Sequence, residues 1–229
     1  MIFHDRIDAG QQLARQLRPY ANRPEVIVLG LPRGGVPVAA EVATALKAPL
    51  DVLVVRKLGV PGAKEMAMGA IASGSVRYLN RPLIQQLKIS PSEVESVTLQ
   101  EEQELSRREK AYRNGRPPLD VQDRIAILVD DGLATGATMR AAIQALQQHH
   151  PKGIVVAVPV AAAEICEQFR QQVDAVVCAE TPDPFRAVGL WYEQFPQTSD
   201  DEVRTLLRRS LGQMLNSPAA TDGAFAGPS

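Results

Sequence analysis

Two adjacent carboxylates, Asp130 and Asp131, stand between the apolar run Ile127-Leu-Val129 and the segment Gly132-Leu-Ala-Thr-Gly-Ala-Thr138. The second part of that stretch has the chemistry of an anion cradle. Thr135, Gly136, Ala137 and Thr138 can turn main-chain N–H groups and two hydroxyls toward one anion, and Gly132 and Gly136 permit backbone conformations closed to other residues. A phosphate monoester suits such a nest. An isolated Asp-Asp-Gly would be read as a turn that caps a helix; the preceding apolar run and the Thr-Gly-x-Thr continuation turn it into a candidate site. About one hundred residues earlier, Gly30-Leu-Pro-Arg-Gly-Gly35 pairs a cation, Arg33, with Gly34 and Gly35, whose exposed amides let a bulky anion such as pyrophosphate approach the backbone. Arg56 and Lys57 add two further cations. Cations in a site that excludes water stabilise negative charge that builds on an anion.

These groups must be positioned by strands and helices, and the hydrophobic pattern supplies both. Apolar runs at 25–29, 50–55, 125–129, 154–158 and 175–178 predict buried strands, while 36–46 and 137–147 carry apolar residues at helical spacing. Strands that alternate with helices predict a parallel α/β sheet with its sites at the carboxyl ends of the strands, where both glycine-rich loops fall. The stretch from Leu58 to Gly69, punctuated by Gly59, Pro61 and Gly62, predicts a mobile loop. Residues 68–73 and 75–79 can pair as a hairpin through Gly74. Ser90-Pro-Ser-Glu93 is a capping-box signature that opens a long charged helix over 92–113, on which Arg107 and Arg108 read as surface charges. Helices are also predicted over 3–20, with Ile7, Leu13 and Leu17 as its apolar positions, and over 200–215.

The Asp130–Thr138 stretch resembles the ribose-5-phosphate loop of the type I phosphoribosyltransferases, which bind 5-phosphoribosyl-1-pyrophosphate (PRPP). The resemblance implies a central parallel sheet flanked by helices, with a small hood and an inserted flexible loop and long helix. It implies that Asp130 and Asp131 contact the ribose 2′- and 3′-hydroxyls and that Ala134, Thr135, Gly136, Ala137 and Thr138 hold the 5′-phosphate. Arg33, Gly34 and Gly35 resemble the pyrophosphate loop, and Arg56 and Lys57 resemble the pair that contacts pyrophosphate in adenine- and orotate-type enzymes. Catalytic roles are thereby implied for Asp130, Asp131 and Lys57. Mg²⁺ is the implied cofactor, with Asp130 and Asp131 acting on it indirectly through ribose hydroxyls or water. The segment Glu180-Thr-Pro-Asp-Pro-Phe-Arg-Ala-Val-Gly-Leu-Trp-Tyr192 is similar to the hood of hypoxanthine-guanine enzymes. That likeness makes Phe185, Val188 and Trp191 candidate base-binding residues. Ala134 stands where those enzymes carry a loop carboxylate, and Leu190-Trp191-Tyr192 stand where they carry a metal-binding Asp, so a purine-like acceptor is favoured without a loop carboxylate as base.

The 229 residues suit one domain over 1–215, with a core over about 22–180, a hood from 181–199 plus terminal segments, and a Pro-, Gly-, Ala- and Ser-rich tail, 216–229, expected to be disordered. With 25 Lys and Arg against 26 Asp and Glu, no basic field argues for nucleic acid as a partner. No apolar run reaches the roughly 18–20 residues that span a bilayer, and the N-terminus lacks the regions of a signal peptide, so no membrane partner and a cytoplasmic setting are expected. Cys166 and Cys178 are too few, and too unlike metal-ligand pairs, to predict a disulfide framework or a zinc site, and core packing is expected of them. His4, His149 and His150 read as bystanders. The expected partners are PRPP and a small heterocyclic base, with a homodimer the common state of such enzymes. A non-catalytic PRPP sensor on the same fold is the alternative; it would keep both phosphate loops and add a nucleic-acid surface. A PRPP synthetase would need an ATP site, and a scaffold would not need both acids, the cradle and Arg33.

Overall fold

Strand-forming runs of four to eight apolar residues, with no polar face, require cover on both sides, and the fold supplies it. The computed structural model of the chain describes residues 2–74, 76–113, 116 and 119–216. Five parallel strands form the main sheet in the order β2 (Leu50–Val52), β1 (Val26–Gly30), β6 (Ile125–Val129), β7 (Gly153–Val160), β8 (Ala175–Glu180). Alternate residues of each strand serve opposite cores. Val26, Val28, Ile127, Val129, Val155 and Ala157 pack beneath α1 (Arg6–Gln16), α2 (Gly35–Leu46), α4 (Pro91–Arg113) and α7 (Asp200–Asn216). Ile27, Leu29, Ala126, Leu128, Ile154, Val156 and Val158 pack beneath α5 (Ala137–Gln147) and α6 (Ala163–Arg170).

A second sheet, antiparallel, follows β2: β3 (Val55–Val60), β4 (Ala63–Ala72) and β5 (Val76–Leu79), in that order. Two expectations are corrected here. The predicted strand over 50–55 ends at Val52, because the buried pair Leu53-Val54 carries the chain out of one sheet and into the other. The stretch expected to be a mobile loop is a hairpin: Pro61-Gly62 is its turn, with Gly62 at φ +79°, and Leu58, Val60, Met68 and Ile71 bury their side chains against the core under α4. Pro then Gly is the sequence of a two-residue turn as readily as of a loop. The predicted pairing of 68–73 with 75–79 is realised in β4 and β5.

After a short helix, α3 (Arg81–Gln86), the capping box forms as the sequence requires. Ser90 N donates to Glu93 Oε2 at 2.8 Å and Glu93 N donates to Ser90 Oγ at 3.3 Å. Along α4, Glu104 accepts from both Arg107 and Arg108 at 2.7 Å, and these two partners hold its carboxyl down to about 2. The cysteine expectation is also corrected. Cys166 on α6 and Cys178 on β8 are joined in a disulfide, since α6 folds back directly on the strand that follows it and brings the two Cα atoms to 6.8 Å. The 3–20 helix is shorter than expected, and Ile7 lies 50 % exposed while Leu13 and Leu17 are fully buried. Of the expected disordered tail, residues 217–229 lie outside the described residues.

Candidate active site

The chain leaves β1 toward β2 on one side, whereas β6 continues to β7 and β8 on the other. The carboxyl ends of β1 and β6 therefore flank the topological switch point, the crevice where open α/β sheets bind ligands. Both candidate loops begin there, because β1 and β6 are neighbours with Gly30 opposite Val129. Leu31 N donates to Val129 O at 2.9 Å and Gly35 N to Leu31 O at 3.1 Å, which folds the 31–35 loop against the end of β6. The Pro32–Arg33 peptide within it is cis. The approach is so close that a Cβ on Gly34 would lie 2.0 Å from Asp131 Oδ2, and one on Gly35 would lie 2.6 Å from Val129 O and 2.8 Å from Asp130 Cα. Two motifs a hundred residues apart thus share one wall.

Within the acid pair each carboxylate has one oxygen engaged. Asp130 Oδ1 accepts from Asp131 N at 2.9 Å, and Asp131 Oδ2 accepts from Arg6 Nε at 2.9 Å and faces Arg6 Nη2 at 2.8 Å. Arg6, at the first turn of α1, was not anticipated from the sequence. It is 10 % exposed, its Nη1 donates to Pro196 O at 2.6 Å, and its guanidinium lies 3.9 Å from the centre of the Phe195 ring. A signal existed: a cation at a helix N-terminus opposes the helix dipole, so Arg6 needed an acid from elsewhere in the fold. Burial, and then the Asp131 charge, push the Asp130 carboxyl well above the ordinary carboxylate range. Burial also raises Asp131, but Arg6 opposes it.

This arrangement has a stability consequence. Asp130 has a folded-state pKa above its unfolded value near 3.8, so the folded state binds the proton more tightly. Its contribution is full below that value and is lost as pH rises from there through the raised pKa, which leaves a cost at neutral pH. Asp130→Asn, which keeps the acceptor for Asp131 N–H, should raise Tm at pH 7 and leave it unchanged near pH 3.5. Thermal melts at the two pH values check this; an equal shift at both would sink the linkage.

The anion cradle follows β6 in the same loop. Gly136, at φ +67°, precedes α5, and a Cβ there would lie 2.8 Å from the Phe169 ring, so glycine is required on both counts. Ala137 N approaches Thr135 Oγ1 at 3.4 Å, Ala137 is half-buried, and Ala134, Thr135 and Thr138 are exposed. The open N–H groups of the first turn of α5 point out of the helix beside these hydroxyls, which is the arrangement that favours an anion.

The cations are placed less uniformly. Arg33 is 3.7 Å from Asp200 at the start of α7, and Tyr112 of α4 donates its hydroxyl to the same carboxylate at 2.7 Å. Arg56 and Lys57 are consecutive residues in the regular part of β3 and so leave it on opposite faces. Arg56 binds Glu101 of α4 at 2.7 Å, whereas among the described residues no ion pair reaches Lys57. The strand does not bring this pair together on one side.

Phe185, Val188 and Trp191 come to one small cluster, where they pack half-buried against Phe3, Ala9, Val160 and Tyr192. The Asp183–Pro184 peptide just before Phe185 is cis. Phe3 is tied in by its N–H to Trp191 O at 2.8 Å and by a tilted ring contact with Tyr192 at 5.6 Å. Val188 seats on the acid loop, 2.6 Å from where a Cβ on Gly132 would stand. Tyr192 donates its hydroxyl to Asp131 O at 2.6 Å, and burial raises its pKa. Among the described residues, none offers a hydrogen-bond partner to the buried Trp191 Nε1. The hood is thus fastened to the acid pair at Val188, Tyr192 and Arg6.

The five-stranded parallel sheet flanked by helices, with a crevice at its switch point, has the type I phosphoribosyltransferase fold. The chain belongs to the phosphoribosyl transferase domain family, whose model matches residues 2–192. It is 48 % identical over 209 residues, 91 % of its length, to two Mycobacterium tuberculosis proteins, Rv0571c and MT0597, whose names contain the words phosphoribosyl transferase. The chain spans about half of those relatives, 47 % of their length. The crystal structure of TT1426 from Thermus thermophilus superimposes with a TM-score of 0.83 at 40 % identity, covering 91 % of this chain and 99 % of that one. Among the described residues, no helix is long and apolar enough to cross a membrane.

Proposed function

We propose that this chain transfers ribose 5-phosphate from PRPP to a nitrogenous base, a purine-like one by the likeness of its hood segment, and releases pyrophosphate. The observation that carries the reading is the junction of the two motifs: the Arg33-Gly34-Gly35 loop lies against the Asp130-Asp131 pair so tightly that no side chain fits between them. A ligand held by both loops must carry a phosphate at one end, an anion at the other and hydroxyls between, which describes PRPP.

In this reading Thr135, Gly136, Ala137 and Thr138 anchor the 5′-phosphate, and the 33–35 amides with Arg33 and Lys57 receive the pyrophosphate. The C1–O bond to pyrophosphate breaks as the base nitrogen bonds to C1, and the proton of that nitrogen passes to water or to the departing pyrophosphate. Asp130 and Asp131 orient the 2′- and 3′-hydroxyls and balance positive charge that builds on the ring. Asp130 and Asp131 would help to hold a substrate-borne Mg²⁺, which would supply positive charge to the leaving pyrophosphate. Two adjacent carboxylates fit such a substrate-carried ion; among the described residues no group of three or more His, Cys, Asp or Glu side chains could hold a metal by itself. Val188 and Tyr192, by closing the hood on the acid loop, exclude water from the ring.

Incubation with PRPP, Mg²⁺ and a panel of purine and pyrimidine bases, with pyrophosphate release as the readout, tests the proposal. Release with one class of base is expected; tight PRPP binding without release for any base would replace the enzyme by a PRPP sensor. The split of the Arg56-Lys57 pair predicts different effects for its two members. Lys57→Met should raise KM for PRPP about tenfold, the worth of one hydrogen bond to a charged group, with Tm unchanged. Arg56→Met, by breaking the Glu101 pair, should lower Tm by about 1–3 °C and leave KM nearly as it was. The reverse pattern would reassign the pyrophosphate contact to Arg56.

A further inference from the structure

We propose that Arg6 is the positioning residue of the acid pair, and that it fixes which oxygen of Asp131 faces the ribose; the inference rests on the PRPP reading above. The geometry is one of division. Asp130 uses Oδ1 for the Asp131 N–H, and Asp131 uses Oδ2 for Arg6. Among the described residues no hydrogen bond reaches Asp130 Oδ2 or Asp131 Oδ1, which leaves one uncommitted oxygen on each half-buried acid. One uncommitted oxygen per acid matches a vicinal diol, one acceptor for each hydroxyl.

Asp130 is set by its own backbone neighbour, a contact local to the loop. Asp131 has its own backbone N–H as a local polar neighbour, but its ion pair comes from outside the loop. Its side chain is set by a residue 125 positions away, through two nitrogens of one planar guanidinium on a single oxygen. The guanidinium is itself held on its remaining sides, by Pro196 O at 2.6 Å and by the Phe195 ring at 3.9 Å. Gly34 closes the other flank, since a Cβ there would lie 3.3 Å from Arg6 Nη2. Lysine has one strongly hydrated donor head, which neither forks nor stacks, so it cannot reproduce this hold. Arg6 also joins this segment to the acid pair, because Phe195 and Pro196, which grip it, lie in the same stretch as Val188, which packs on Gly132.

The test separates ribose recognition from pyrophosphate recognition. Binding of PRPP and of pyrophosphate, each with Mg²⁺, is measured by titration calorimetry for the full chain and for Arg6→Met and Arg6→Lys. The expected result is a loss of PRPP affinity of about tenfold or more in Arg6→Met, with pyrophosphate affinity within about threefold of the parent. In Arg6→Lys, which keeps the charge beside Asp131, most of the PRPP loss should persist and pyrophosphate binding should again be kept. If Arg6→Met does not fold, Arg6→Lys carries the same comparison alone. Unchanged PRPP affinity in the folded variants overturns the assignment while leaving the PRPP reading intact. Equal losses for both ligands also overturn it, by reducing Arg6 to a general structural contact. A parent protein that binds pyrophosphate but not PRPP overturns the underlying reading instead.

Discussion

Asp131→Asn should lower kcat by about 10²–10³-fold while leaving the protein folded, the size of effect seen when one preorganised group that stabilises transition-state charge is removed. Both halves of this outcome follow from the contacts of one side chain. The amide keeps an oxygen for Arg6, so the buried guanidinium is not left without an acceptor, and Tyr192 binds the backbone oxygen of residue 131, which the substitution does not touch. What is lost is the negative charge beside the sugar, which has most effect as positive charge builds at C1. The result should therefore appear in kcat more than in KM. Turnover unchanged within a factor of about three, in a variant whose melting curve matches the parent, would remove Asp131 from the mechanism.

Gly35→Ala should have the second-largest effect, and on stability as well as activity. The added Cβ would meet Val129 O at 2.6 Å and Asp130 Cα at 2.8 Å, both backbone atoms of β6 and its loop, which cannot swing aside as a side-chain end can. Either α2 retreats at its first residue or the acid pair is displaced. Overpacking of this kind costs about 1–3 kcal/mol. Because the atoms pushed are those that set the acid pair, turnover should fall at least about a hundredfold, in keeping with the sensitivity of positioned groups to a displacement of about 1 Å. Gly62→Ala is the control for activity: its φ of +79° strains any side chain placed there and so lowers Tm as well, but nothing lies within 4 Å of the new Cβ, so turnover should be kept. Parallel Tm and kcat measurements on the two variants decide the matter; a Gly35→Ala protein as active as Gly62→Ala would show that the two loops do not share a wall in solution.

The sequence disclosed the main sheet because its strands are buried on both faces and read as unbroken apolar runs, and it disclosed the acid pair and the glycine loops because each is a contiguous motif. Four features stayed hidden for identifiable reasons. Arg6 reaches Asp131 across 125 residues, and an ion pair at that separation leaves no periodic trace. The β3–β4 hairpin was hidden by Gly59, Pro61 and Gly62, which signal a loop and a tight turn alike. The opposite facing of Arg56 and Lys57 follows only once that hairpin is known, since a loop could have aimed both cations at one anion. The disulfide between Cys166 and Cys178 depends on α6 folding straight back onto β8, and α6 is too short and too polar to stand out as a helix. The hood residues show a subtler limit. Phe185, Val188 and Trp191 do cluster, but their clustering is also what a small core needs, and composition alone does not separate a wall of a pocket from the packing behind it.

The central claim is that one bipartite site, built from the loops after β1 and β6, holds PRPP. A crystal structure of the chain with PRPP and Mg²⁺ tests it most directly. The account predicts the 5′-phosphate within hydrogen-bond distance of the amides and hydroxyls of residues 135–138, the ribose hydroxyls on the uncommitted oxygens of Asp130 and Asp131, and the pyrophosphate on the 33–35 loop. Density for PRPP away from either loop, or a 5′-phosphate bound with the ribose turned from the acid pair, would contradict it.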